Sequence, residues 1–237
     1  MTNKLIVIGS GVAGLSAACY AQQAGYEVTL LEKNSSIGGR ARVFETDGFK
    51  FDMGPSWYWM AEVFENFFND FGYQAKDFYK LKKLDPGFQI FLKNKRLESL
   101  PAKSEDIYIL FDKLEPEGAK KLRSFLKHAE FTYAKGVSEY MQKPSHSIFE
   151  FFDLEFISGI LKAGLFKSYG GQIDKQFESE TIREILKFPV LFLGATPENT
   201  PYLYSLMAKA MLDGTFYPMG GMHEIIKAMQ KIANNLG

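Results

Sequence analysis

The residues best suited to chemistry stand near the N-terminus. Gly9-Ser10-Gly11-Val12-Ala13-Gly14 spells G-x-G-x-x-G, and an acid, Glu32, follows it. Glycines at this spacing suit a ligand that carries a pyrophosphate. Gly9 permits a tight turn, Gly11 lets the backbone approach the phosphates, and Gly14 lets a helix pack close to a strand. A helix that begins here offers unpaired N–H groups and the positive end of its dipole to the phosphates. Glu32 is placed to accept hydrogen bonds from ribose hydroxyls. A carboxylate there disfavours a 2′-phosphate, which argues against NADP.

The flanking sequence must position these residues. Leu5-Ile6-Val7-Ile8 is a continuous apolar run and reads as a buried parallel strand. Leu15 to Ala24 is rich in Ala and Leu and reads as a helix ended by Gly25. Glu27-Val28-Thr29-Leu30-Leu31 reads as a second strand that closes on Glu32. G-x-G-x-x-G alone is a weak signal, since an ordinary glycine turn produces it. The strand before it, the helix after it and the acid behind it turn it into a nucleotide site.

The motif does not separate FAD from NAD. The next stretch, Glu32-Lys33-Asn34-Ser35-Ser36-Ile37-Gly38-Gly39-Arg40-Ala41, suggests a second close approach of backbone to cofactor. Arg40 could pair with phosphate oxygens. A flexible turn and a solvated charge are the plainer readings of Gly38-Gly39 and Arg40. Here the chain resembles the flavoprotein superfamily of amine oxidases, protoporphyrinogen oxidases and carotenoid desaturases. The resemblance implies an FAD site made from Gly9, Gly11, Val12, Ala13, Gly14, Glu32, Lys33, Gly38, Gly39, Arg40 and Ala41.

Composition sets bounds. Lys+Arg and Asp+Glu both number 28, so no net field draws in a polyanion, and nucleic-acid binding is disfavoured. The single cysteine, Cys19, excludes an internal disulfide and reads as a packed residue of the first helix. His128, His146 and His223 lack metal-ligand spacing. His223-Glu224 begins like a zinc-binding H-E-x-x-H helix, but Lys227 stands at the last position, so no metal is expected. Met1-Thr2-Asn3-Lys4 leads straight into the first strand without a signal-peptide pattern, and no apolar run reaches transmembrane length. A cytoplasmic protein, peripherally associated with a membrane, is the expectation. The aromatic excess (22 Phe, 12 Tyr, 2 Trp) fits a large apolar cavity, a membrane-facing surface or an ordinary core.

Residues 42–52 read as a hairpin turning at Asp47-Gly48. Phe51-Asp52-Met53-Gly54-Pro55-Ser56-Trp57-Tyr58-Trp59-Met60 follows. F-x-F-D-x-G-P after G-G-R-A looks like the bacterial-type phytoene desaturase family. The resemblance covers nearly the whole chain, is specific over residues 9–60 and is looser in the middle. In that family this segment returns to the flavin, which adds Gly54, Pro55 and Ser56 to the implied FAD site. Trp57, Tyr58 and Trp59 read as core packing or as a wall facing the flavin or polyene.

Further along, Val63, Phe64, Phe67, Phe68 and Phe71 have helical spacing, with Gly72 as a stop. Phe88–Leu92 and Arg96–Leu100 read as a second hairpin turning through Lys93-Asn94-Lys95. A long helix is expected from Gly118, with Leu122, Phe125, Leu126, Ala129 and Tyr133 on one face. Ser147 to Tyr169 is too charged to span a bilayer. It reads as an interfacial helix or a buried helical hairpin, and the family resemblance favours the membrane. Thr200 and Pro201 read as the N-cap and first residue of a helix over 202–212. Thr215 to Gly221 precedes an amphipathic helix over 222–235. The family carries a similar segment where the chain re-enters the flavin domain, which implies that Gly220 and Gly221 lie near the flavin.

The expected fold class is α/β: an incomplete Rossmann-like FAD-binding domain with an inserted α+β domain facing substrate or membrane. The expected division is residues 1–74, 75–214 and 215–237. So few strands leave sheet edges open, and the family is longer than this chain, so a fragment is expected. The resemblance implies FAD-dependent desaturation of a C40 carotenoid precursor, phytoene, to more conjugated carotenes. Its partner would be a hydrophobic polyene. The chemistry is hydride removal from an allylic C–H, with proton loss from the adjacent carbon. No carboxylate is singled out by spacing as a base. A related desaturase, ketolase or isomerase, an amine oxidase-like enzyme and a non-catalytic nucleotide-binding remnant stand as alternatives.

Overall fold

A computed structural model of the chain describes residues 3–92, 97–134 and 164–237. The chain divides into two compact units, Met1–Leu84 with Thr215–Gly237, and Asp85–Gly214.

The first unit opens as a βαβ element. β1 (Lys4–Ile8) and β2 (Glu27–Leu31) pair in parallel, from Lys4 opposite Glu27 to Ile8 opposite Leu31. α1 (Val12–Gln23) makes the crossover, and Gly25 turns the chain at φ 87°. Contrary to the expectation of a buried strand, β1 is largely open: Ile6 is 64% and Ile8 85% exposed. Among the described residues its sheet has two strands, so β1 has one neighbour, and α1 covers one face, where Val7 approaches Gly14. An apolar run on both faces needs cover on both to be buried, and among the described residues only one face has it. β3 (Val43–Thr46) and β4 (Phe49–Asp52) form the expected hairpin. Asp47 and Gly48 both take positive φ (50° and 80°), as a two-residue type I′ turn requires. α2 (Ala61–Asp70) buries Phe68 fully and packs Phe64 and Phe67 on the core, and Gly72 follows at φ 79°. β5 (Leu81–Lys83) ends this first segment.

The second unit begins with β6 (Phe88–Phe91) paired antiparallel to β7 (Leu97–Leu100), Phe88 opposite Leu100. The predicted turn at 93–95 lies outside the described residues. α3 (Ser104–Leu114) and α4 (Gly118–Tyr133) follow, then α5 (Tyr169–Gln176), α6 (Glu180–Lys187) and α7 (Ser205–Asp213). The predicted face of α4 is buried at Leu122, Phe125 and Ala129, joined by Phe111, Phe177 and Tyr169. Most of the stretch 147–169, the candidate interfacial helix, lies outside the described residues. Thr200 is not an N-cap: its hydroxyl donates to the Thr196 carbonyl, 2.8 Å away, and a 3₁₀ turn (Tyr202–Tyr204) precedes α7.

The chain then returns to the first unit. β8 (Phe216–Pro218) pairs antiparallel with β5, and the Leu84 N–H donates to the Thr215 carbonyl at 2.9 Å. Residues 75–84, read from sequence as part of the second domain, therefore group with the first unit. α8 (His223–Leu236) buries Ile225, Ile226, Met229 and Ile232 in the same core as Leu15 and Cys19 of α1. Burial pushes the Cys19 thiol up to about 11, which suits a packed residue and not a nucleophile.

Candidate functional site

The glycine loop joins β1 to α1. Gly9 holds φ 99°, and its N–H donates to the Leu31 carbonyl at 2.7 Å. A Cβ at Gly14 would stand 1.9 Å from the Gly9 carbonyl oxygen, so only glycine fits there. Gly11 is the N-cap of α1 in extended conformation, and no side chain caps the helix. Val12 and Ala13 are exposed in its first turn. The start of α1 thus presents backbone N–H groups that an anion could satisfy.

Glu32 locks this loop from the end of β2. Its Oε2 accepts the Ser10 N–H (2.9 Å) and the Ser10 hydroxyl (2.6 Å). Its Oε1 accepts the Asn34 N–H (2.9 Å) and the Asn34 side-chain amide (2.7 Å). The Ser10 hydroxyl, then the Asn34 and Ser10 N–H groups, hold the Glu32 carboxyl down to about 2. Ser10 is fully buried. Lys33, beside it in sequence, is exposed.

The G-G-R turn lies against the loop. Gly38 is buried at φ 111°, and its N–H donates to the Ser10 carbonyl at 2.9 Å. Gly39–Ala41 form one 3₁₀ turn, in which a Cβ on Gly39 would stand 3.3 Å from the Gly11 Cα. Arg40 is exposed. A Cβ on Gly54 would stand 2.0 Å from the Arg40 carbonyl oxygen, so the F-D-x-G-P segment closes on the same turn. Pro55 and Ser56 follow on the exposed side. Three glycine-dependent segments, at 9–14, 38–41 and 54, are therefore brought into direct backbone contact. The chemistry of this arrangement fits a dinucleotide at one point: the start of α1 carries no side-chain cap, so its backbone N–H groups are left for an anion, while the glycines let the segments that frame it pack closely.

The returning chain completes the arrangement. Asp52 at the end of β4 accepts the Tyr217 hydroxyl on Oδ2 (2.6 Å) and the Met222 N–H on Oδ1 (2.9 Å). Lys50 donates to the Gly220 carbonyl at 2.6 Å. Gly220 and Gly221, at φ 106° and 108°, form the turn so held. His223 lies within 3.0 Å of the Ala41 carbonyl oxygen through Nδ1. Tyr58 is core, bonded to the Tyr79 hydroxyl at 3.0 Å, while Trp57 and Trp59 stack at 5.5 Å and Trp59 donates to the Thr215 hydroxyl. Sequence reasoning passed over Ser10, Asn34, Asp52 and His223 as functional positions. Asp52 alone left a signal, as the acid that ends an alternating strand.

Comparison with known proteins agrees with the Rossmann-like fold of the first unit. A family model described as an NAD(P)-binding Rossmann-like domain matches residues 7–72. Carotenoid 3,4-desaturase of Haloarcula japonica is 34% identical over 98% of this chain and 47% of its own length. Phytoene desaturase of Cercospora nicotianae is 31% identical over 98% of this chain and 38% of its own. Among solved structures, putrescine oxidase bound to putrescine superposes with a TM-score of 0.63 at 15% identity, covering 100% of this chain and 50% of that one, which shows a shared fold. The chain spans about half the length, or less, of the curated relatives it matches. Along 98% of its own length, this chain is similar in sequence to proteins named carotenoid 3,4-desaturase and phytoene desaturase.

Proposed function

We propose that this chain grips FAD and forms part of a carotenoid desaturase that acts on a hydrophobic polyene such as phytoene. The observation that carries the reading is the convergence of three glycine segments and Glu32 on one backbone cradle. The desaturase names of its relatives over 98% of the chain support the polyene. FAD, when bound, supplies a two-electron acceptor for hydride from an allylic C–H. The chain's own residues have other tasks. The start of α1 would receive the pyrophosphate, Glu32 would meet the ribose, and the 38–41 turn with Gly54 would back the cofactor.

Membrane contact belongs to the same proposal. Phe91, Phe166, Leu191 and Phe192 of the second unit are at least half exposed, with Phe166 at 81%. Large exposed apolar side chains suit a unit that draws a hydrocarbon from lipid. Among the described residues no helix is long and apolar enough to cross a membrane, so contact would be peripheral.

The deciding experiment is FAD co-elution with the 237-residue chain on a sizing column, together with quenching of flavin fluorescence. Binding that Gly11→Val or Glu32→Ala weakens at least tenfold supports the reading. Binding unaffected by either variant removes the cradle from it. No binding here or in a longer chain of the relatives' length removes the flavin assignment. Anaerobic bleaching of bound flavin by phytoene in liposomes, set against simple amines, then tests the substrate class.

A further inference from the structure

We infer that His223 is a positioning residue for the G-G-R turn and, through that turn, for the nucleotide loop. The inference rests on the reading of the loop as a dinucleotide cradle. His223 is the first residue of α8 and only 7% exposed. Its Nδ1 lies 3.0 Å from the Ala41 carbonyl oxygen. A carbonyl can only accept, so Nδ1 carries the proton and donates. The same edge of the ring fills the space beside Gly38: a Cβ there would stand 3.2 Å from both Cε1 and Nδ1. The ring thus supports the turn at both ends, at Gly38 by contact and at Ala41 by a hydrogen bond.

The turn passes this constraint to the loop. Gly38 donates to the Ser10 carbonyl, and Gly39 backs onto Gly11. His223 is itself held. Asp52 accepts the N–H of Met222, the preceding residue, and the buried face of α8 packs in the core shared with α1. A residue far along the chain therefore sets the cradle wall through the turn. Nothing in the hydride chemistry calls for this imidazole, and both its hydrogen bond to Ala41 and its approach to Gly38 are made with the turn.

The test uses the 237-residue chain and three readouts: FAD affinity by flavin fluorescence, the melting temperature of the ligand-free protein, and amide exchange over residues 38–41. His223→Phe keeps a ring and removes the donor. His223→Asn keeps a donor close to the Nδ1 position. We expect H223F to weaken FAD binding about tenfold, the effect of one lost hydrogen bond in a preorganised site. Amides of Gly38 and Ala41 should exchange faster while those of α1 do not, and H223N should recover most of the affinity. Unchanged affinity and exchange in H223F overturn the inference. So does a loss equal in H223F and H223N that follows melting temperature alone, since His223 then only fills space. Should H223F not fold, H223N against His223→Leu reads the same difference. If the unsubstituted chain binds no FAD, the flavin reading fails for this chain, and the exchange comparison still decides whether His223 holds the turn.

Discussion

Glu32 uses both carboxylate oxygens twice inside the protein, on the backbone and side chains of Ser10 and Asn34. A carboxylate has about four acceptor positions, so on the proposed reading a ribose hydroxyl would have to exchange with one of these donors, and the side-chain donors of Ser10 and Asn34 are the ones that rotation can release. The depressed pKa has a signed consequence. A carboxyl held at about 2 in the folded chain, below its unfolded value, stabilises the fold above about pH 4.5, and that contribution fades as pH falls toward 2. Ser10→Ala removes the largest cause. The Glu32 carboxyl carbon, followed by NMR, should then titrate clearly above the unsubstituted protein. A value still at about 2 would show that the Asn34 and Ser10 N–H groups suffice.

At the scale of elements, the contrast lies between a buried helix and a half-covered sheet. Ile226 of α8 is fully buried in the core that includes Leu15 and Cys19. Ile226→Ala should cost about 2–5 kcal/mol in urea unfolding, the usual range for emptying a packed site. Ile8 is as apolar but 85% exposed. Ile8→Lys should change stability by no more than about 0.5 kcal/mol, because among the described residues β1 has one neighbouring strand and Ile8 stands on an open face. A large loss of stability from Ile8→Lys would mean that this face is covered in solution. Periodicity made the helices readable, and Asp47-Gly48 made the hairpin readable, because those signals are local. The exposure of β1 was not readable, because burial depends on what lies across the sheet. Thr200 failed for a different, local reason: its hydroxyl has an acceptor four residues back that competes with capping.

At the scale of the molecule, one unit is interrupted by the other, and the interruption begins and ends at neighbouring residues. The Leu84 N–H bonds the Thr215 carbonyl, and β5 pairs with β8 beside it. The first unit keeps its own core, in which α1, α2 and α8 all take part. Joining Leu84 to Thr215 through a short glycine linker, with residues 85–214 removed, should therefore leave a folded protein that retains FAD affinity within about threefold, since short linkers cost little where the ends already meet. A cooperative melt and flavin quenching would check it. An unfolded product would mean that the first unit depends on the second.

The amino-acid sequence by itself determined the nucleotide loop, its acid, the G-G-R turn and the helices around them, because glycine spacing, capping and apolar period act within a few residues. Tertiary structure alone decided what holds these parts together. Asp52 meets Met222, and His223 meets Ala41, across 170 and 182 residues of chain. No local signal marks such pairs, since a hydrogen bond between distant residues exists only once packing of the core has brought a side chain of one within about 3 Å of the backbone of the other.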